Sequence, residues 1–286
     1  MAFLDVVLLI LLSALWGASY LFMRVAGPSL GPIVLMALRV SIGAGVLLAY
    51  VGAVRQMPDL RARWRQYLML GALHNAIPFT LIANAVIHLN ASMAAILNAT
   101  TPMCTAIVAA IWIREPFGLR KALGTALGIG GVVILMGWSP LPLTATTIFA
   151  VAQASLASLA YGMAAVYARR RFAGVSPLHT AVGQLCGSSA LLLPLALAMP
   201  PTRLPAWPVI LSVLRLAVAC TAFAYLLYFR LIAVAGPTKA STVTILTPFF
   251  SVLWGVVFLH EPLNLGMFAG LGVTLVSVWL VLSARG

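Results

Sequence analysis

Apolar residues along this chain do not alternate with polar ones. They run in blocks of about twenty, each closed by Pro, Gly, Arg or a short polar turn, and ten such blocks can be counted. A helix needs roughly 20 residues to cross the hydrocarbon core of a bilayer, so each block predicts one membrane-spanning helix. Helix 1 is expected at Leu4 to Met23, helix 2 at Pro32 to Val54, and helix 3 at Tyr67 to His88. Helix 4 is placed at Ala91 to Ile113, helix 5 at Gly118 to Trp138, helix 6 at Thr147 to Ala168, and helix 7 at Pro177 to Met199. Helix 8 is expected at Val209 to Ile232, helix 9 at Thr238 to Leu259, and helix 10 at Leu263 to Leu282. Barrel strands would alternate with a period of two, so these unbroken runs exclude a barrel. The expected fold is an all-α integral membrane protein.

Composition narrows the solvent. The 286 residues are 63% hydrophobic and 7% charged, with mean hydropathy +1.10. A soluble domain is about 45–50% apolar and about 25% charged, and this chain could not cover itself with a polar surface. Ten spans take roughly 210 residues, which leaves no room for a soluble domain. Cys104, Cys186 and Cys220 all fall inside spans without zinc-type spacing and are expected to pack as small apolar groups. No metal and no cofactor is expected. The first span comes at the start of the chain with no basic segment before it, so no cleaved signal peptide is expected.

The net charge of +13 is not the footprint of a nucleic-acid binder, because the basic residues sit in turns between spans. One side of the predicted bundle carries thirteen: Arg55, Arg61, Arg63, Arg65, Arg114, Arg120, Lys121, Arg169, Arg170, Arg171, Arg230, Lys239 and Arg285. The other carries Arg24 and Arg203, while Arg39 and Arg215 lie inside spans. By the positive-inside rule both termini are expected in the cytoplasm of a plasma membrane, a bacterial inner membrane in this reading.

The chain also repeats itself. Thr101-Pro102 recurs as Thr247-Pro248, and Glu115-Pro116 as Glu261-Pro262, both at a shift of 146. In the same register Ala94 meets Ala240, Leu119 meets Leu265 and Gly124 meets Gly270. The halves are expected at 1–138 and 147–286, forming a single transport unit. Each holds five spans, an odd number, so the second half must enter the membrane inverted.

Ten helices in two inverted halves, the repeated mid-helix Pro102 and Pro248, the repeated Glu-Pro turn, Trp16-Gly17 in helix 1 and Arg39 in helix 2 resemble the EamA-type exporters of the drug/metabolite transporter superfamily. Within it, the chain looks most like the bacterial aromatic amino acid exporters. The resemblance implies a central cavity lined by helices 1 to 4 and 6 to 9, with helices 5 and 10 as outer supports. It also implies export of small metabolites, often amino acids.

Three spans carry proline where a helix would continue. Pro102 has no amide hydrogen, so the carbonyl of Asn98 loses its helical partner, and Thr100 and Thr101 adjoin the break. Pro248 repeats this with Thr244 and Thr247, and Pro78 frees the carbonyl of His74 next to Asn75. In lipid an unpaired carbonyl costs several kcal/mol. Such breaks at mid-depth often line substrate sites, which makes His74, Asn75, Asn98 and Thr244 candidate substrate contacts. Pro78, Pro102 and Pro248 become candidate hinges. The competing account is a packing kink, with Thr hydroxyls bonding back to the preceding turn. Trp16 and Tyr20 share one face of helix 1, Tyr161 is Trp16's counterpart in helix 6, and Phe79, Phe223, Tyr225 and Tyr228 add rings. Aromatic walls suit an apolar or aromatic substrate. Arg39 suits either a substrate carboxylate or a structural anchor to backbone carbonyls, and Gln184 holds a comparable place in helix 7.

The acids limit the chemistry. Asp5, Asp59, Glu115 and Glu261 are the only four, and none lies mid-span. Proton-coupled antiporters and cation-exporting multidrug pumps usually need an intramembrane carboxylate. Glu115 and Glu261, each before a Pro, are expected to cap helices 5 and 10. His74 is the one mid-span group whose ordinary pKa lies near neutrality. Gly124 with Gly128, and Gly266 with Gly270, have the spacing for close helix approach, within a monomer or across a homodimer.

Together these features favour a transporter of amino acids, aromatic and other neutral ones, working by alternating access; a multidrug or other small-metabolite exporter is the alternative. An enzyme is not expected, since four scattered acids cannot build a magnesium site and the isolated histidines offer no paired base. A scaffold or sensor subunit is the remaining class. The expected partners are a small-molecule substrate and the lipid bilayer.

Overall fold

The structure is a computed structural model that describes residues 3–138, 142, 144–201, 204–235 and 243–283. Among these residues all regular secondary structure is helical. The first helical run, Phe3–Ala53, has 51 residues, about 75 Å of helix at 1.5 Å per residue against a hydrocarbon core of about 30 Å. It is therefore two spans. They meet at Gly31, where φ 71° and ψ 158° break the helix in a region that suits glycine. We call the arms α1 (3–30) and α2 (32–53). The others are α3 (Trp64–His88), α4 (Ala91–Trp112), α5 (Leu119–Gly137), α6 (Ala145–Arg171), α7 (Pro177–Ala198), α8 (Trp207–Val234), α9 (Val243–Leu259) and α10 (Leu265–Ser283). The protein is thus an integral membrane protein of ten crossing helices in two inverted five-helix repeats. Arg203, Lys239, Arg285 and the expected start of helix 9 at Thr238 lie outside the described residues.

Several ends differ from expectation. Helix α1 continues past Met23 because its last turns are held against α3: Arg24 donates to the carbonyls of Val86 and Ile87, and Ala26 and Leu30 are buried. Helix α6 runs on to Arg171, with three arginines in its last turn, where positive charge suits the dipole.

The sequence repeat is also a repeat of turns. Arg114 and His260, one register apart, adopt φ 55° and 53°. After each, the glutamate amide bonds back six residues, Glu115 N–H to Ala109 O at 3.2 Å and Glu261 N–H to Gly255 O at 3.1 Å. Helices α4 and α9 therefore end the same way on opposite sides of the membrane.

Four pairs of helices approach with no room for a side chain: α1 and α9 at Gly17, α4 and α6 at Gly162, α5 and α10, and α3 and α7. Helices α5 and α10 pack on each other along their length: a Cβ on Gly124 would sit 3.0 Å from the Ser277 carbonyl, and one on Gly266 would sit 2.9 Å from that of Trp138. The Ser277 hydroxyl donates to the Gly124 carbonyl at 2.6 Å. The glycine spacing thus serves contact within one chain. Helices α3 and α7 are closer still. A Cβ on Gly71 would meet the Gln184 carbonyl at 2.5 Å, and one on Gly187 would meet that of Tyr67 at 2.3 Å. Gly187→Ala is expected to destabilise the protein by about 1–3 kcal/mol, the usual cost of overpacking. Gly130→Ala, where a Cβ would stand in open space, should leave thermal unfolding in detergent unchanged.

Candidate functional site

Helices α1 to α4 and α6 to α9 surround a cavity of about 590 Å³. Its lining includes Trp16, Tyr20, Arg39, His74, Phe79, Asn98, Tyr161, Gln184, Tyr225 and Thr244, with Pro102 and Pro248. Asn75 and Pro78 are not in the wall. Asn75 is fully buried and turns to α7, donating to Ser188 Oγ at 3.5 Å. Its side-chain Oδ1 lies 3.2 Å from His74 Nδ1.

Helix breaks put these side chains in place. Helix α4 is interrupted at Ala99 and Thr100, between Asn98 and Pro102. The Asn98 carbonyl stranded there is taken by the Thr101 hydroxyl at 2.7 Å, and the Leu97 carbonyl accepts from both Thr100 N–H at 3.1 Å and Thr100 Oγ at 2.7 Å. So the kink and the cavity wall are one feature, and the Asn98 carbonyl has a protein partner. In α9 the equivalent Thr247 Oγ donates instead to Val243 O at 2.8 Å, one residue before the Thr244 carbonyl that Pro248 frees. Helix α3 widens into a π-turn at Ala72–Ala76, which holds His74 and leads into Pro78. Helix α8 has its own π-turn at Arg215–Phe223. Shifted by 146, residues 72–76 fall at 218–222, so the two π-turns are repeat partners. Single π-turns are frequent at functional sites.

The wall is aromatic with few polar points. Trp16 packs on Tyr228 with ring centroids 5.4 Å apart, and the edge of His74 meets Tyr161 at 5.5 Å. Asn98 Nδ2 donates to the Tyr20 hydroxyl at 2.9 Å, and Gln184 Nε2 to that of Tyr225 at 3.1 Å. Both phenols are thus oriented by an amide on another helix. Arg39 is buried, yet it does not anchor to backbone. Its Nε donates to Thr221 Oγ at 2.9 Å, and its guanidinium carbon lies 3.9 Å from the centre of the Phe79 ring. Thr221 in turn donates to Leu216 O at 2.9 Å, closing the π-turn. Arg39 is the one permanent charge in the described lining, and no carboxylate faces it there. Sequence reasoning missed Thr221 and Ser19 in this wall; Thr221 stands at the 146 shift from Asn75, a signal the repeat contained.

The cavity is closed at one end. Toward the basic face its lining reaches Phe172, Val175 and Thr180 around the α6–α7 turn. Toward the opposite face it stops near Met23, Ile82 and Ala95, beneath buried Leu30, Leu35, Val86 and Leu89. Glu261 pins this end. It is a helix cap, but of α4: its carboxylate accepts from Ala91 N–H at 2.6 Å, Ser92 N–H at 3.2 Å and Ser92 Oγ at 2.5 Å. The first turn of α10 is capped instead by Asn264, which accepts from Met267 N–H at 2.8 Å. A Cβ on Gly255 would sit 2.5 Å from the Glu261 carboxylate, so glycine is needed beneath it. At the basic face Glu115 pairs with Lys121 at 2.9 Å and Arg169 at 2.7 Å. Lys121 first, then Arg169, holds its carboxyl below the usual carboxylate range. That link is complete above the ordinary carboxylate pKa and is lost only as pH falls through the lowered one.

The sequence pattern of the EamA-like transporter family matches residues 4–137 and, a second time, residues 148–283. Over 279 residues the chain is 25% identical to the "Uncharacterized transporter YvbV" of Bacillus subtilis (strain 168), covering 96% of this chain and 90% of that one. It is 25% identical over 270 residues to "Protein PecM" of Dickeya dadantii (strain 3937), covering 94% and 86%. The chloroplastic WAT1-related protein At3g02690 of Arabidopsis thaliana is 25% identical over 303 residues, covering 98% of this chain and 69% of that one. None of these three names states a substrate. A solved crystal structure at 18% identity superposes with a TM-score of 0.67 over 96% of this chain and 95% of the other, a likeness of fold.

Removing the Glu261 contacts should loosen the closed end. A single cysteine at Ala95, in a background lacking the three native cysteines, is expected to react about tenfold faster in Glu261→Ala. That is the order for losing one charge-assisted bond. The measurement is labelling by an impermeant maleimide applied from the sealed side, and an unchanged rate would contradict the pinning role.

Proposed function

Because the chain belongs to the EamA-like transporter family, we propose that it carries amino acids out of the cell, aromatic and other neutral ones favoured. It does so by alternating access around the midplane cavity. The observation that carries this reading is the composition of the wall: aromatic rings around one buried guanidinium with no carboxylate opposite. Arg39 takes the substrate carboxylate through a charge-assisted bond. Trp16, Phe79, Tyr161 and Tyr225 enclose its side chain, and the neutral polar side chains of the wall, His74, Tyr20, Asn98, Gln184 and Thr244, face its amine. A cationic drug would meet Arg39 uncompensated, which makes the multidrug reading the weaker one. A scaffold or sensor subunit has no use for such a cavity.

In this reading residues 1–138 and 147–286 move as two halves of one transport unit, with Pro78, Pro102 and Pro248 as the points that yield. Both termini lie in the cytoplasm of a bacterial inner membrane, so the cavity opens inward. Transport runs downhill, by exchange, or on the membrane potential; a proton stoichiometry abolished by His74→Ala would overturn that.

The test is counterflow in proteoliposomes loaded with unlabelled tryptophan, threonine or a quaternary ammonium dye. Labelled amino acid should enter, and the rate should fall about tenfold or more in Arg39→Gln, as for loss of a charge-assisted bond. Trp16→Ala should slow tryptophan more than threonine, and Asn98→Ala should slow both. Exchange of the dye alone would replace this proposal with the multidrug reading.

A further inference from the structure

Arg215 plays no part in the cavity. It begins the π-turn of α8, eight residues from Trp207, about 12 Å along the helix. Its side chain is exposed on the outside of the bundle. Among the described residues it has no hydrogen-bond or ion-pair partner; the ring of Phe22 lies 6.0 Å from its guanidinium carbon. No acid is available to it. Asp5, Asp59 and Glu115 sit toward the opposite end of the bundle, and Glu261 is bound to the start of α4. An unpaired guanidinium on the lipid-facing side near the end of a span suits an anionic partner at headgroup level.

A groove of about 280 Å³ runs beside it between α1, α8 and α9. Leu21, Phe22, Val25, Leu211, Phe258 and Leu259 form its apolar walls. Ser212 also borders it, but its hydroxyl is already donated to Pro208 O at 2.8 Å. Arg215 is thus the polar group left to meet a ligand. An apolar trough facing lipid, with one cation at its rim, complements an amphiphile that has a hydrocarbon chain and a negative head.

We propose that this groove binds an anionic phospholipid from the leaflet on the sealed, non-basic side. An acyl chain lies along the apolar walls, and the phosphodiester receives the guanidinium fork of Arg215. The planar fork suits a phosphate better than an ammonium does. The bound lipid touches α1 of the first repeat and α8 and α9 of the second. Its contact at Leu259 is two residues from Glu261, so it bridges the repeats beside the seal.

Native mass spectrometry of the full chain in detergent tests this, with dioleoyl phosphatidylglycerol and dioleoyl phosphatidylcholine as separate probes. The wild-type protein should retain one phosphatidylglycerol in preference to phosphatidylcholine. Retention should drop about fivefold in Arg215→Gln, the order for one arginine against an anionic surface. Leu211→Trp, which fills the groove and leaves Arg215 in place, should lower it as well. Arg215→Lys keeps the charge without the fork and should retain an intermediate amount, which stays readable if the glutamine variant fails to fold. Equal retention of both lipids would reduce the groove to ordinary lipid contact and overturn the proposal. Undiminished phosphatidylglycerol in a folded Arg215→Gln, or in a folded Leu211→Trp, would overturn it too.

Discussion

Hydrocarbon offers no hydrogen bonds, and this constraint organises the molecule. A helix in lipid satisfies its own backbone, so any interruption must be repaired from within the protein. Several polar side chains of this chain serve such repairs. Thr101 serves the carbonyl stranded by Pro102. Thr221 closes the π-turn of α8, and Glu261 covers two open amides at the start of α4. Apart from Glu261, these repairs lie in the cavity wall. Breaking a helix and lining a polar site are therefore a single structural act here.

Charge is distributed with the same economy. Among the described residues one permanent cation stands in the cavity wall, and no acid stands there against it. The two glutamates of the repeat are instead at the ends, where identical turns hold them in different company. Glu115 lies between two cations at the basic face, while Glu261 grips a helix start on the other. The difference arises from inversion, which sends equivalent turns to opposite faces. One structure thus shows the same motif beside an open end and at a sealed one.

Much of this was legible in the sequence, for physical reasons. Run length gives the spans, two dipeptides in one register give the repeat, and prolines that cannot donate give the breaks. Ten of the eleven predicted contact residues face one cavity because helical spacing and proline position are local properties. Asn75 was not legible in the same way: a π-turn rotates the residues within and beyond it, and here the amide turns to Ser188. The π-turn of α8 has no proline to announce it. The partner of Glu261 could not be read either, because it lies 170 residues earlier in the chain, and the adjacent helix is capped by Asn264.

The glycine contacts bear on how the two halves can move. Helices α5 and α10 come from different halves and meet tightly from Gly124 at one end to Gly266 at the other, and α3 and α7, also from different halves, are closer still. Seams packed this tightly resist sliding. Any rocking of one half against the other would therefore be taken up by bending inside helices, at the interruption of α4 and the π-turns of α3 and α8, with the seams kept closed.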